Sequence, residues 1–176
     1  MKDFLDALVV RFEGLEDHLN ALDAAIGDGD HGTTMLKGLR AAAASPDAPA
    51  KAFRKAAGGA SGSLFGVLLA ALDRVLQGAM DLPEALAEAA AKITQIGEAV
   101  AGDKTMLDAL IPAAAEETSL GAAEAARNGA EATLMLAAKR GRARYVEGAG
   151  VGHVDAGATS VAEILEALVQ VEAASA

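Results

Sequence analysis

The sequence contains no cysteine and no tryptophan, and aromatic residues make up only 3% of its 176 residues. Without cysteine, the chain forms no disulfide framework and offers no thiolate nucleophile or metal ligand. With so few aromatic residues, the core must consist of alanine, leucine, valine and isoleucine, which suit closely packed helices. Positive charge is also scarce, because the net charge is −10. That balance disfavours sequence-independent nucleic-acid binding, which depends on dense lysine and arginine.

Long apolar runs are missing too. No uninterrupted run reaches the roughly 18 residues that a membrane span requires, and Met1–Asp3 do not lead into the apolar region of a signal peptide. Hydrophobic residues make up 52% of the chain and charged residues 23%, a composition typical of globular proteins. We therefore expect one domain over residues 1–176, in the cytosol and without a membrane segment.

The apolar residues that are present follow a helical period. Steps of three and four residues connect the first group, which consists of Leu5, Leu8, Phe12, Leu15, Leu19 and Leu22. Glycines and prolines divide the rest of the chain into further helical segments. No alternation of apolar and polar residues that is longer than four residues indicates a strand. The later helices are expected to end near Ala44 and Ala57, to open after residues 58–63, and to run from Pro83 to Gly97, Thr105 to Ser119, Ala122 to Arg140 and Ser160 to Val171. The sequence thus predicts an all-α fold of about eight helices.

Four of the connecting segments carry glycine and polar residues that a purely structural connection would not need. They surround Asp28, Ser61, Asp103 and Asp155. Alternate loops of up-and-down helices share one end of a bundle, so these segments are expected to converge there.

Three aspartates, Asp23, Asp28 and Asp30, lie close together where the first helix gives way to a glycine-rich turn. Carboxylates cannot crowd together in ionised form without a cation to offset their repulsion, and oxygen ligands without cysteine suit Mg²⁺ or Ca²⁺. An EF-hand loop counted from Asp28 would need a glutamate where Leu39 stands, so that alternative fails. The cluster predicts a metal–phosphate site, although aspartate and glycine also favour ordinary turns and helix caps.

Two further segments invite comparison with known phosphate sites. The helix that follows His31, Gly32, Thr33 and Thr34 offers free N–H groups to phosphate oxygens. The segment Gly97 to Thr105 approaches a P-loop, but Asp103 separates the second glycine from the lysine, and no strand precedes it. We therefore expect Asp103 to cap a helix instead, with Met106 facing either the core or a pocket.

Taken together, five segments resemble the L subunit family of dihydroxyacetone kinases. In family order, and over nearly the whole chain, they are residues 22–35 (LDAAIGDGDHGTTM), 58–66 (GGASGSLFG), 102–110 (GDKTMLDAL), 141–145 (GRARY) and 152–160 (GHVDAGATS). The resemblance implies a closed barrel of eight antiparallel helices that binds ADP or ATP at one rim.

The same resemblance implies roles for individual residues. Two Mg²⁺ ions would be held by Asp23, Asp28 and Asp30. The phosphates would be contacted by His31, Gly32, Thr33, Thr34, Ala60 and Ser61. The adenine pocket would be lined by Gly97 and Met106. The residues that would close over the nucleotide are Arg142, Asp155, Ala156 and Gly157. No residue is assigned a covalent catalytic role.

In that family the sugar is held by a separate K subunit, which is the partner that the resemblance implies. Asp28–Asp30 and Thr33–Thr34 are similar to the ATP-dependent kinases, whereas His31 and Gly102–Thr105 are similar to the phosphotransferase-system type. In the latter type, a multiphosphoryl M subunit rephosphorylates ADP that stays bound, and we favour this alternative. A non-catalytic sensor of the nucleotide state and a helical assembly protein without ligand remain as rival hypotheses.

Overall fold

The computed structural model describes residues 1–141, 143–145 and 147–175. Within these ranges the chain forms eight α-helices and no strand. They are α1 Lys2–Ala24, α2 His31–Ala43, α3 Pro49–Ala57, α4 Gly59–Leu76, α5 Leu82–Gly97, α6 Leu107–Ala113, α7 Ser119–Ala132 and α8 Ala156–Ser175. The all-α fold expected from the periodicity is confirmed.

The eight helices close into a ring. Each helix packs against the next one in the chain, and α8 returns to pack against α1. Phenylalanine and leucine fill the interior on the side of α1 to α4, where Phe4, Phe12 and Phe53 are fully buried. On the opposite side, the buried residues of α7 are all alanines. Their small side chains let α7 approach α6 and α8 closely, as the scarcity of aromatic residues predicted.

The sixth and seventh helices are shorter than their periodicity predicted. The sixth ends at Ala113, and the amide of Ala114 donates the closing bond to the carbonyl oxygen of Leu110 (3.0 Å). The chain then becomes extended at Thr118, whose side chain accepts a hydrogen bond from the amide of Gly121 and so starts α7. At its other end, α7 stops at Ala132, eight residues before Arg140, and continues only as a short 3₁₀ turn over Thr133–Met135.

The helix α4 contains polar and charged residues, so the expectation that no uninterrupted apolar run reaches about 18 residues stands. By length and average composition alone, however, α4 is long and apolar enough to cross a membrane, with 18 residues and a mean hydropathy of 1.4; it is the one such helix in the described ranges. Buried core helices pass the same test, and Phe65, Leu68, Leu69 and Leu72 of α4 are buried within the ring.

The close contact between α1 and α2 gives a test of this packing. A β-carbon at Gly32 would lie 2.2 Å from the carbonyl oxygen of Glu16, which is backbone of α1 and cannot rotate away. We expect Gly32→Ala to lower the free energy of unfolding by about 1–3 kcal/mol, as overpacking does.

The matched control is Gly14→Ala, also in a helix, where no described atom lies within 4 Å of the added carbon. It should raise the free energy of unfolding by about 0.5–1 kcal/mol because alanine is the better helix former. Urea denaturation of both variants measures the difference, and equal effects would contradict the packing argument.

Candidate functional site

A cavity of about 490 Å³ opens where four connections of the ring meet. These are the alternate connections, namely α1–α2, α3–α4, α5–α6 and α7–α8, and alternate connections of up-and-down helices lie at the same end. Residues that are far apart in sequence therefore line one space. The convergence expected around Asp28, Ser61 and Asp155 is present, and the segment next to Asp103 contributes Lys104 and Met106.

The aspartate cluster forms the polar floor of the cavity. Asp23, at the end of α1, accepts hydrogen bonds through Oδ2 from the amides of Gly29 (2.8 Å) and Asp30 (3.0 Å). These bonds fold the turn back over α1 and bring Asp30 towards Asp23. A β-carbon at Gly27 would lie 2.4 Å from Oδ1 of Asp23, so the turn leaves room for the carboxylate only because glycine stands there.

The donor set of this cluster fits a hard divalent cation. One carboxylate oxygen from each of Asp23, Asp28 and Asp30 lies within 4.8 Å of the other two. Ligands on opposite sides of Mg²⁺, at about 2.1 Å each, are roughly 4.2 Å apart, so a small adjustment brings these oxygens into range. Asp30 is the residue that precedes α2, yet its side chain makes no capping hydrogen bond. The capping interpretation therefore does not explain its carboxylate.

His31 begins α2 and is held against the opposite wall. Its Nε2 lies 2.8 Å from Oγ of Ser160 in α8, and its ring centroid lies 5.9 Å from that of Phe65 in α4. Burial lowers the pKa of His31 from 6.5 to about 4, and the carboxylate of Asp23 opposes this shift only in part. The imidazole is therefore neutral at pH 7, so it meets a ligand through hydrogen bonding and not as a cation.

Two helix N-termini face the same space. The helix α4 begins at Gly59, and both Gly58 (φ +68°) and Gly59 (φ +57°) adopt the left-handed region that favours glycine. Ala60 and Ser61 follow in the first turn of α4 and line the cavity, as does Thr34 in the first turn of α2. The free amides at the start of a helix carry a partial positive charge, which favours anionic ligands.

Asp155 closes the cavity from the side of α8. Its Oδ2 accepts a hydrogen bond from the amide of Ala158 (2.7 Å), so it caps α8 while it lines the cavity with Ala156 and Gly157. Burial raises the pKa of Asp155 to about 6, and the Ala158 amide and Lys104 oppose that shift.

Two of the residues expected at the nucleotide, Gly32 and Thr33, do not line the cavity, and a third, Arg142, cannot be placed. Gly32 is buried against the backbone of α1, where it permits close helix packing. Thr33 points outward, because its hydroxyl donates to Oε1 of Glu16 (2.8 Å) and its amide donates to Oδ1 of Asn20 (3.1 Å). Arg142 lies outside the described residues.

Asp103 also differs from the expectation that it caps a helix. Its Oδ2 accepts from the amide of Val100 (3.1 Å), which precedes it, and its side chain is buried. The turn before α6 is organised instead by Asp108, whose two oxygens accept from the amides of Gly102 (2.5 Å) and Thr105 (2.8 Å).

Sequence reasoning missed two basic residues and the apolar wall. Lys104 and Arg140 line the cavity. Lys104 was noted only as part of the segment Gly102–Thr105, without a role of its own, and Arg140 stands two positions before Arg142. The apolar wall includes Ile26, Leu64, Phe65, Ile93 and Leu107. Spacing could have shown part of it, since residues 61, 64 and 65 share one helical face, as do residues 93 and 97.

The site can now be compared with known proteins. Residues 25–170 match the family described as DAK2 domain. Among curated relatives, triokinase/FMN cyclase from Bos taurus is 37% identical over 90% of this chain and 32% of its own length. D-erythrulose kinase from Mycolicibacterium smegmatis is 39% identical over 89% of this chain and 32% of its own. Dihydroxyacetone kinase from Citrobacter freundii is 33% identical over 96% and 34%.

The fold matches a solved structure as well. The crystal structure of the dihydroxyacetone kinase from C. freundii, in complex with AMP-PNP and Mg²⁺, aligns with a TM-score of 0.74 and 28% identity. The alignment covers 97% of this chain but 33% of that one. The chain thus spans about a third of the length of the relatives that it matches.

Metal binding can be separated from helix capping by Asp30→Asn. Because Asp30 makes no capping bond and lies beside like charges, we expect the metal-free variant to unfold with unchanged or higher free energy. Mg²⁺ should raise the melting temperature of the wild-type protein by binding only its native state, and should bind the variant about tenfold more weakly.

Asp47→Asn, in the exposed turn between α2 and α3, is the control and should behave as wild type. Thermal unfolding with Mg²⁺ and with EDTA measures all three proteins. A metal-free Asp30→Asn protein that loses about 1 kcal/mol and responds normally to Mg²⁺ would support the capping interpretation instead.

The neutral state of His31 predicts a dependence of stability on pH. Its pKa is about 4 in the folded protein and about 6.5 when unfolded, so the unfolded chain binds more protons between these values. Protonation then favours unfolding. Relative to His31→Gln, the wild-type protein should lose free energy of unfolding as the pH falls from 6.5 towards 4, and the difference should be constant above pH 7.

Chemical denaturation of both proteins at several pH values, without metal, measures this difference. If the two stability profiles run parallel across the whole range, burial does not set the charge of His31.

Proposed function

The chain belongs to the DAK2 domain family, and from that premise we propose that it is the nucleotide-binding unit of a triose-type kinase. It holds ADP or ATP together with two Mg²⁺ ions and presents the nucleotide for phosphoryl transfer to dihydroxyacetone. The observation that carries this proposal is the juxtaposition, in one cavity, of the Asp23, Asp28 and Asp30 carboxylates with two helix N-termini and an apolar wall.

The polar side of the cavity is suited to the phosphates. The amides at the starts of α2 and α4 and the hydroxyls of Thr34 and Ser61 supply hydrogen-bond donors. His31, neutral and fixed by Ser160, adds a ring that meets phosphate oxygens without altering the charge of the site. Aspartates alone would repel the phosphates, so donors and metal must act together.

Two Mg²⁺ ions, held by Asp23, Asp28 and Asp30, would neutralise charge on the phosphates and orient them for transfer. The residues of the chain would hold the metal ligands in position. Hydrogen bonds from Gly29 and Asp30 fix the carboxylate of Asp23, and the small side chain of Gly27 leaves room for it. Phosphoryl transfer depends mainly on such positioning and on charge neutralisation, which agrees with the absence of a covalent nucleophile among our assignments.

The apolar side of the cavity is suited to the adenine. Ile93 and Gly97 lie one helical turn apart on α5, and Met106 and Leu107 face them from the α5–α6 connection. Gly97 leaves space beside the ring, since a β-carbon there would meet only Ala99, at 3.9 Å. Apolar side chains of this kind suit an adenine ring, because binding there removes its apolar surface from water.

The sugar would come from a partner. We assign no residue of this chain to a sugar site, and in the family that the sequence resembles the sugar is held by a K subunit. From that resemblance we propose that a separate K subunit holds dihydroxyacetone in the cytosol. We favour the phosphotransferase-system type, in which an M subunit rephosphorylates bound ADP, because of His31 and Gly102–Thr105. An ATP-dependent kinase of a triose or tetrose with exchangeable ATP is the alternative.

Calorimetry with ADP and ATP, in Mg²⁺ and in EDTA, tests nucleotide binding. Wild-type protein and the Asp47→Asn control should bind only with Mg²⁺, and Asp30→Asn should bind at least about tenfold more weakly, which corresponds to about 1.4 kcal/mol. Nucleotide binding that persists unchanged in EDTA would contradict the metal assignment.

A second experiment tests the partnership and the phosphoryl donor. The purified chain alone should not phosphorylate dihydroxyacetone with ATP, and a K subunit should restore turnover. ADP retained through gel filtration would support the phosphotransferase-system type, whereas rapid exchange with labelled ATP would support the ATP-dependent type. Turnover by the chain alone would show that the subunit assignment is wrong, and nucleotide binding without turnover in any combination would favour a sensor.

A further inference from the structure

We infer that Asp103 and Lys104 are positioning residues, which hold two walls of the cavity against the α5–α6 connection. The first wall is Arg140–Gly141 and the second is Asp155–Gly157. Neither residue of the pair was assigned to nucleotide or metal. The inference rests on the proposed function only in that these walls are those of the nucleotide site.

Lys104 is a lysine buried to 2% exposure, with a left-handed backbone (φ +60°). Its Nζ donates to the carbonyl oxygen of Thr133 (2.6 Å) and to that of His153. Thr133 directly follows α7, and His153 lies three residues before α8. One ammonium group therefore joins the point where the chain leaves α7 to the point where it enters α8. Burying a lysine is unfavourable unless its ammonium group is hydrogen-bonded, and these two bonds use two of its three donors.

The position of the second wall, Asp155–Gly157, depends on the contact between Lys104 and Thr133. The Oγ1 of Thr133 accepts from the amide of Asp155 (2.9 Å) and donates to the carbonyl oxygen of Ala130 (2.5 Å). Thr133 is fully buried, so it cannot exchange these partners for water. Lys104 holds the carbonyl of Thr133, and the side chain of Thr133 holds Asp155 at the edge of the cavity.

The first wall depends on Asp103. Its backbone oxygen accepts from the amide of Lys139 (3.1 Å), and its carboxylate lies 3.1 Å from Nζ of Lys139 and 3.7 Å from Nε of Arg140. That Nε is buried and has no hydrogen-bond partner among the described residues. The carboxylate of Asp103 is thus the group that balances the charge of Arg140 at the cavity.

Packing agrees with this arrangement. A β-carbon at Gly150 would lie 2.8 Å from Cγ2 of Ile26 and 3.3 Å from Cε of Lys104. The backbone at Gly150 therefore packs closely against Ile26 and the aliphatic part of Lys104, and both of these residues line the cavity. The contacts of Lys104 hold both the backbone and the packing of the region between α7 and α8 where it is described.

The test compares Lys104→Met, which keeps the stem and removes the ammonium, with Asp103→Asn, which retains an oxygen for the Val100 amide. Lys92→Met and Asp47→Asn, both exposed, are the matched controls. Hydrogen exchange of the metal-free protein is followed by NMR at four amides that lie in the two walls or beside them and are called the wall amides here: those of Ala138, Lys139, Gly152 and Asp155. All four donate to the hydrogen bonds of this region, and the amides of Leu68 and Leu69 in α4 report global unfolding.

We expect each variant to speed exchange by about tenfold or more, relative to the α4 amides, at the wall amides nearest to the contact that it removes, because charged hydrogen bonds are lost. The affinity for Mg·ADP should fall by a similar factor, with both controls unchanged. Lys104→Met should act on Gly152 and Asp155, and Asp103→Asn on Lys139.

Equal acceleration at wall and α4 amides would overturn the inference, because it would make the pair ordinary contributors to stability. Local acceleration with unchanged Mg·ADP affinity would also overturn it. If Lys104→Met does not fold, the Asp103→Asn comparison decides by the same criteria. Wild-type protein that binds no nucleotide would refute the proposed function, and the exchange rates alone would then decide whether the pair fixes the walls.

Discussion

Repulsion among three carboxylates is the constraint on which the site depends. Oxygens of Asp23, Asp28 and Asp30 lie within 4.8 Å of one another, in a chain whose net charge is −10. Two backbone amides donate to Asp23. A bound cation would offset the repulsion among the three carboxylates. The surrounding scaffold of helices holds these three carboxylates close together.

The ring of helices supplies that scaffold. Because every second connection lies at the same end, four short irregular segments meet without any of them crossing the core. The alanines of α7 and the glycine at position 32 set the spacing between neighbouring helices. Since such contacts are made by backbone and β-carbons, they bring the helices around the cavity into close, well-packed contact.

The basic residues of the site make structural contacts within the protein. Lys104 donates to two carbonyl oxygens, and Arg140 lies against Asp103. Both side chains therefore already contact groups of the protein, and neither is assigned to the phosphates. In the proposed function, neutralisation of the phosphates therefore depends mostly on metal and on helix N-termini, which distinguishes this site from a P-loop, where a lysine reaches the phosphates directly.

The sequence by itself determined the all-α class, the number of helices and the positions of the polar turns, because a 3.6-residue apolar period and glycine or proline breaks are local signals. It also singled out Asp23, Asp28 and Asp30, whose proximity along the chain nearly forces proximity in space. The ends of α6 and α7 were not determined, because the apolar periodicity continues past both ends and does not mark them. Tertiary structure alone decided the direction of Thr33, the burial of Lys104 and the place of Arg140 beside Asp103. Each of these depends on which helix lies opposite, and the energy of a buried charge or hydrogen bond is set by partners that are distant in the chain.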